Sequence, residues 1–131
     1  MHTNKLLCIS RQSTHPHEFC YSEAFMLTIM INVTIREGLL DSFIEMASLI
    51  TRETRGKHQG CISYSFNQRI DSPREFVLHE QWESETALNN HMKKLVELIG
   101  PERPNTQLPE KLLSMYEKGE AVYYNELEPN A

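Results

Sequence analysis

Residues 76–92, FVLHEQWESETALNNHM, decide the fold because the hydrophobic periodicity changes within them. The first seven residues alternate as a β-strand does, and one predicted strand face carries Phe76, Leu78, Glu80 and Trp82. Beyond Ser84, a predicted N-cap, the apolar residues recur at helical spacing. The stretch therefore predicts a strand that leads directly into an amphipathic helix.

His91 falls on or beside the apolar face of that predicted helix, where an imidazole is costly to place without a polar partner. Glu80 and Trp82 come within reach of His91 if their strand face packs on the helices. A carboxylate beside an imidazole sets its tautomer and raises its basicity. Two interpretations remain open. His91 and Glu80 form a catalytic pair, or they satisfy one another or the backbone in a core that includes Trp82.

The rest of the chain predicts three more strands and two more helices. Alternation predicts strands over residues 27–35, 61–68 and 120–128, and helical spacing predicts helices over residues 39–55 and 108–118. This order is that of a ferredoxin-like split βαβ fold of the α+β class. It predicts a four-stranded antiparallel sheet that carries its helices on one face. The loop over residues 100–109 contains three prolines and could cover a pocket.

The sheet face away from the helices is predicted to be partly apolar, because it carries Met30 and either Tyr123 or Tyr124. An uncovered apolar patch usually marks an interface, so the sequence predicts contact with a second protein surface. His79 lies on the strand face opposite Trp82. It is predicted to meet solvent or that partner.

Composition excludes several function classes. The net charge of −5 offers no basic patch for nucleic acid or an anionic membrane, and a small neutral or weakly anionic ligand fits better. The apolar runs are too short for a membrane span. Three irregularly spaced cysteines predict reduced thiols in a cytoplasmic protein, with no metal site.

Residues 1–25 are polar and lack periodicity, so they predict a leader before a domain over residues 26–131.

The motifs resemble those of the antibiotic biosynthesis monooxygenase family. The family pattern E-x-W … A-L-x-x-H is similar to the series Glu80, Trp82, Ala87, Leu88 and His91. Gly38 is similar to the family's glycine before the first helix. Gly60, Cys61 and Tyr64 are similar to the family's strand entry P-G-C-x-x-Y, with Gln59 in place of Pro. The resemblance covers residues 27–127.

That resemblance implies a homodimeric α+β barrel, in which two sheets face one another and each subunit holds one ligand cavity. It also implies a monooxygenase that uses no metal, flavin or haem and oxygenates a small quinol, phenol or polyketide-like aromatic with dioxygen. Such chemistry needs a base, hydrogen-bond donors and an apolar cavity that excludes water. The implied base is His91, with Glu80 as the residue that orients it. The implied substrate-binding residues are Trp82, Tyr64, Leu78 and Phe76.

Other functions within the same resemblance stay open. Haem-degrading members bind iron through a histidine further along the second helix, and this chain has no histidine after His91. An isomerase or a metabolite-degrading enzyme would need a small polar cavity, and a non-catalytic dimeric module would only bind its ligand. A large apolar cavity favours the oxygenase. Tyr64 also has a simpler interpretation as a core residue.

Overall fold

A computed structural model describes residues 26–127 as a sheet with helices on one face. Its elements are β1 (Leu27–Ile35), α1 (Leu40–Thr54), β2 (Cys61–Gln68), β3 (Glu75–Trp82), α2 (Glu85–Ile99), α3 (Glu110–Leu113) and β4 (Tyr116–Asn125). The strands are antiparallel, in the order β2-β3-β1-β4. The predicted ferredoxin-like α+β fold is confirmed. The predicted leader lies outside the described residues.

The core fills the space between the sheet and the two long helices. Ile29, Val33 and Ile35 are buried on the helix side of β1, as their alternation predicts. Phe43 of α1 packs edge-on against Phe66 and Phe76, with ring centroids 5.7 and 4.9 Å away. Each such buried side chain contributes roughly 1.5–3 kcal/mol through loss of contact with water. This packing fixes α1 against β2 and β3.

The junction between β3 and α2 is built as the sequence predicts. The Ser84 hydroxyl accepts a hydrogen bond from the Ala87 amide at 3.1 Å, which satisfies one free donor of the first turn of α2. Glu85 places an acid where the helix dipole favours it. The cap fixes where α2 begins and therefore which of its side chains face the sheet.

The region around α3 differs from the prediction. The predicted helix over residues 108–118 is only one turn long, and β4 begins at Tyr116. Met115 accepts a hydrogen bond from the Arg36 amide at 2.9 Å, and Tyr116 pairs with Ile35 across a β-bulge. Tyr116 therefore reaches the core as a strand residue, where it packs on Phe43. Tertiary packing overrides the local helical pattern here.

The outer face of the sheet carries Tyr124 and not Tyr123. Tyr124 pairs with Thr28, on the side of Met30, whereas Tyr123 pairs with the buried Ile29. Tyr124 is 47% exposed. No helix within residues 26–127 is long and apolar enough to cross a membrane.

Thr54, the last residue of α1, offers a stability prediction. Its side chain is fully buried, and its hydroxyl has no hydrogen-bond partner within residues 26–127. Valine has the same shape without that hydroxyl, so Thr54→Val should raise the free energy of unfolding by about 1 kcal/mol in urea denaturation. Thr51→Val is the matched control, because the Thr51 hydroxyl donates to the Ala47 carbonyl at 2.7 Å. Equal losses of stability in both variants would contradict the prediction.

Candidate active site

A cavity of about 660 Å³ lies between the sheet and α2. Apolar side chains from β1, β3 and α2 form much of its wall, among them Ile29, Ile31, Leu78, Leu88, Met92 and Leu95. The proline-containing loop contributes Arg103, Thr106 and Leu108, so it borders the cavity as its composition suggests. Most of the cavity surface is therefore apolar, but the wall also carries charged side chains: Arg36, Glu80, Arg103, Glu117, Lys118 and Glu120.

His91 is a polar residue of this wall and is almost fully buried. It projects from α2, is 2% exposed and lines the cavity. Its ring lies 4.6 Å from the Trp82 ring and 5.2 Å from the Tyr64 ring, centroid to centroid. Its Nδ1 lies 2.8 Å from Nδ1 of His58, in the turn between α1 and β2. That hydrogen bond leaves Nε2 as the ring nitrogen available to a bound molecule.

The surroundings of His91 keep its imidazole neutral. Burial, and to a lesser degree His58, lowers the pKa of His91 to about 3. At neutral pH the ring carries one proton, and one of the two facing Nδ1 atoms must be the donor in the His58 to His91 hydrogen bond. When His91 Nδ1 donates, its Nε2 is an acceptor that can take a proton from a ligand.

Glu80 also lines the cavity, but its hydrogen bond differs from the predicted one. The carboxylate is 4% exposed, and its Oε1 accepts a hydrogen bond from Trp82 Nε1 at 2.7 Å. Burial raises the pKa of Glu80 to about 7, against the opposing effect of the Trp82 bond. Among the described residues, Glu80 therefore bonds Trp82 and not His91, and His58 bonds His91. A role of Glu80 in orienting His91 stays a prediction.

The predicted aromatic walls divide into two groups. Tyr64 and Leu78 line the cavity, whereas Trp82 and Phe76 are buried and do not line it. Phe76 packs on Phe43, and Trp82 supports Glu80 and His91 from the core. Neither residue lines the cavity, and their predicted contact with substrate stays a prediction.

Two tyrosines of the cavity wall were not predicted as site residues. Tyr116 and Tyr123 both line the cavity, and burial followed by the nearby Glu80 raises the pKa of each. Burial and then Glu80 also raise the pKa of Tyr64 well above its usual value. All three phenols are therefore protonated at neutral pH and could donate hydrogen bonds to a ligand.

His58 is the other residue that the sequence did not single out. It lies in a turn without periodicity, 33 positions before its partner, so no local pattern relates the two. The one available signal is its position just before Gly60 and Cys61, at the entry to β2. In the described part of the chain, His, Cys, Asp and Glu side chains form no cluster of three that could hold a metal ion.

Comparisons with known proteins agree with this fold. The sequence profile of the family described as antibiotic biosynthesis monooxygenase matches residues 26–95. No curated protein matches the chain by sequence.

Several solved structures have the same fold. A candidate antibiotic biosynthesis monooxygenase from Nitrosomonas europaea is 16% identical, with a TM-score of 0.66 over 82% of this chain and 96% of that one. The protein PA3566 from Pseudomonas aeruginosa is 17% identical, with a TM-score of 0.61 over 81% and 98%. A conserved protein from Methanosarcina mazei Go1 is 18% identical, with a TM-score of 0.61 over 82% and 98%. At these identities the likeness establishes the fold alone.

Proposed function

This chain belongs to the antibiotic biosynthesis monooxygenase family, and from that premise we propose that it is a cofactor-independent monooxygenase. Its substrates would be dioxygen and a small quinol, phenol or polyketide-like aromatic. The observation that carries the proposal is an apolar cavity of about 660 Å³ with a neutral, buried histidine in its wall. That volume lies within the range of roughly 300–1,000 Å³ that is usual for small-molecule sites. The apolar walls suit a flat aromatic better than a small polar metabolite.

The first step is removal of a proton from the substrate hydroxyl. His91 Nε2 is the proposed acceptor, and the low pKa of the ring keeps it unprotonated at neutral pH. The same burial makes the ring a weak base until the substrate develops negative charge beside it. A phenolate that forms beside the ring favours the imidazolium, because an opposite charge nearby stabilises the charged form. The phenolate and the imidazolium therefore stabilise one another, and this stabilisation exists only when substrate is bound.

The following steps need no group beyond substrate and dioxygen. The quinolate gives one electron to dioxygen, and the resulting radical pair combines into a hydroperoxide. Loss of water from that hydroperoxide leaves a new carbon–oxygen double bond. One quinol and one dioxygen then give one hydroxyquinone and one water. The protonated phenols of Tyr64, Tyr116 and Tyr123 are proposed to donate hydrogen bonds to the anionic species.

Oxygen uptake tests the proposal. Metal-stripped protein should consume one dioxygen per quinol from a panel of benzoquinols and naphthoquinols, above the rate of autoxidation measured without protein. Heat-denatured protein is the control for adventitious catalysis. Uptake at the autoxidation rate across the whole panel would favour an isomerase or a ligand-binding module.

The proposed setting of the reaction is the cytoplasm. Cys61 is a free thiol in the structure. Burial, and then Glu80, raises its pKa, so the thiol stays protonated and poorly reactive. Free thiols of this kind suit a reducing compartment.

We also propose a homodimer through the outer face of the sheet. That face is partly apolar, with Met30, Val77, Val122 and Tyr124 on adjacent strands. Sedimentation at micromolar concentration should give a dimer, and Met30→Glu should give a monomer because it buries an unpaired charge. Ile70→Glu is the control, since Ile70 is fully exposed in the turn between β2 and β3. A monomeric wild-type protein, or a dimeric Met30 variant, would contradict the proposed interface.

A further inference from the structure

We propose that His58 relays protons between His91 in the cavity and the solvent. This inference rests on the proposed function, since it concerns the proton that the substrate loses there. His58 would not touch the substrate, and it would act only through His91. The two imidazole rings would carry the proton in two steps from the cavity, through its wall, to the solvent.

The geometry of the pair supports a path from inside to outside. The two Nδ1 atoms are 2.8 Å apart, which is hydrogen-bond distance. His91 is 2% exposed and lines the cavity, whereas His58 is partly exposed in the turn before β2. Each ring uses Nδ1 for the shared bond. Nε2 is therefore the second nitrogen of each ring, and the relay assigns that of His91 to the ligand and that of His58 to water.

The backbone holds the outer ring in place. The His58 amide donates to the Thr54 carbonyl at 3.0 Å, and its carbonyl accepts from the Cys61 amide at 3.2 Å. These two bonds tie the turn to the end of α1 and to the start of β2. His58 is therefore fixed by the frame that also fixes the cavity wall, and the pair needs no large rearrangement to conduct a proton.

The proton balance of the relay is complete. At the start, His91 Nδ1 carries the proton of the shared bond and His91 Nε2 is bare. The substrate hydroxyl gives its proton to His91 Nε2, the Nδ1 proton moves across to His58 Nδ1, and His58 Nε2 releases its proton to water. At the end, His58 Nδ1 is the donor of the shared hydrogen bond and His91 Nδ1 is the acceptor. Elimination of hydroxide from the hydroperoxide needs one proton, and the reverse passage supplies it and restores the starting tautomers.

The surroundings of the two rings favour transfer of a proton through the pair over its retention on either ring. Burial, then Lys94 of α2, lowers the pKa of His58, and Glu53 of α1 partly offsets them. Burial, then His58, lowers the pKa of His91. Both rings therefore rest in the neutral form near pH 7. A proton that enters from the substrate is not held by either ring.

A purely structural role is the competing explanation, and two substitutions separate it from the relay. In His58→Gln, the side-chain amide can still form a hydrogen bond with His91 Nδ1, but it cannot pass a proton on. In His58→Ala, both the bond and the relay are lost, and space is left for a small base. Gln59→Ala is the matched control, because Gln59 is the next residue of the same turn and is exposed.

The experiment measures kcat for 1,4-naphthoquinol by oxygen uptake, with and without imidazole in the buffer. His58→Gln should lower kcat by about ten- to a hundredfold, and Gln59→Ala should retain it. The expected loss lies at or below the lower end of the roughly 10²- to 10⁴-fold that a direct proton-transfer group contributes, because His58 acts only through His91. Added imidazole should restore much of the kcat of His58→Ala in a concentration-dependent way. Circular dichroism confirms that each variant is folded.

The outcomes separate the relay from the function on which it rests. If wild-type protein turns over quinol and His58→Gln keeps the wild-type kcat, the relay is overturned while the oxygenase stands. Failure of imidazole to restore His58→Ala would likewise overturn the relay, because a structural pair is not repaired by a free base. If wild-type protein turns over no quinol, the proposed function itself falls, and the relay falls with it.

Discussion

His91→Ala is expected to reduce quinol turnover by about two to four orders of magnitude, because it removes the proposed proton acceptor from the cavity. Stability should change far less. The His91 side chain borders an existing cavity, and His58 is a partly exposed residue, so we expect water to take the place of the lost hydrogen-bond partner. We expect a loss of about 1–2 kcal/mol in the free energy of unfolding. The measurements are kcat/KM by oxygen uptake and urea denaturation of the same samples.

Two comparisons make this prediction specific. Asn90→Ala alters the neighbouring, exposed position of α2 and should leave both turnover and stability close to wild type. Glu80→Gln keeps an oxygen that can accept the Trp82 bond, but it removes the carboxylate with a pKa of about 7. If His91→Ala keeps its turnover and Glu80→Gln loses it, Glu80 is the base. A folded His91→Ala protein with full turnover and a lower melting temperature would make His91 a packing residue.

Gly60→Ala is expected to cause a large loss of stability, about 2–5 kcal/mol in the free energy of unfolding. Gly60 has a φ of +86°, which a residue with a side chain rarely adopts. A methyl group there would also overlap with Cβ of Ala87, in the first turn of α2. Overpacking at such a contact costs roughly 1–3 kcal/mol beyond the backbone strain. The Gly60 carbonyl further accepts the Glu83 amide at 2.8 Å, so the change strains the junction before α2.

Gly56→Ala is the matched control for this prediction. Gly56 also has a positive φ, +73°, but an added methyl group meets no other atom within 4 Å. Gly56→Ala should lower the free energy of unfolding only through backbone strain, by roughly 1 kcal/mol. Adding Ala87→Gly to Gly60→Ala should recover part of the loss, since it removes the overlapping atom. Equal losses in the two single variants, measured by urea denaturation, would contradict the role assigned to the close approach.

Most of the fold could be predicted from local patterns. Alternation in β1 and the Ser84 cap of α2 are properties of short segments, and the structure confirms both. The helical spacing before β4 was misleading, because Tyr116 is held in a strand by its pairing with Ile35. That error also hid Tyr116 from the predicted site. A local pattern does not report which distant strand a segment joins.

The site was predictable where it follows from strand and helix faces. Glu80 and His91 share the space between sheet and helix, as parity and spacing indicate. Their hydrogen-bond partners were not predicted. The Glu80 to Trp82 bond joins residues two positions apart on one strand face, so the sequence did contain a signal for it. The His58 to His91 bond depends on how a turn packs against α2, and only the folded chain brings those rings together.

If the proposed function is correct, this protein inserts one atom of dioxygen into an aromatic substrate. Turnover of 1,4-naphthoquinol under ¹⁸O₂, followed by immediate reduction of the product to prevent carbonyl exchange with water, tests it most directly. Mass spectrometry should then find one ¹⁸O in each hydroxylated product and the second ¹⁸O in water. An unlabelled quinone together with ¹⁸O-labelled hydrogen peroxide would show an oxidase instead, and it would contradict the proposed monooxygenase.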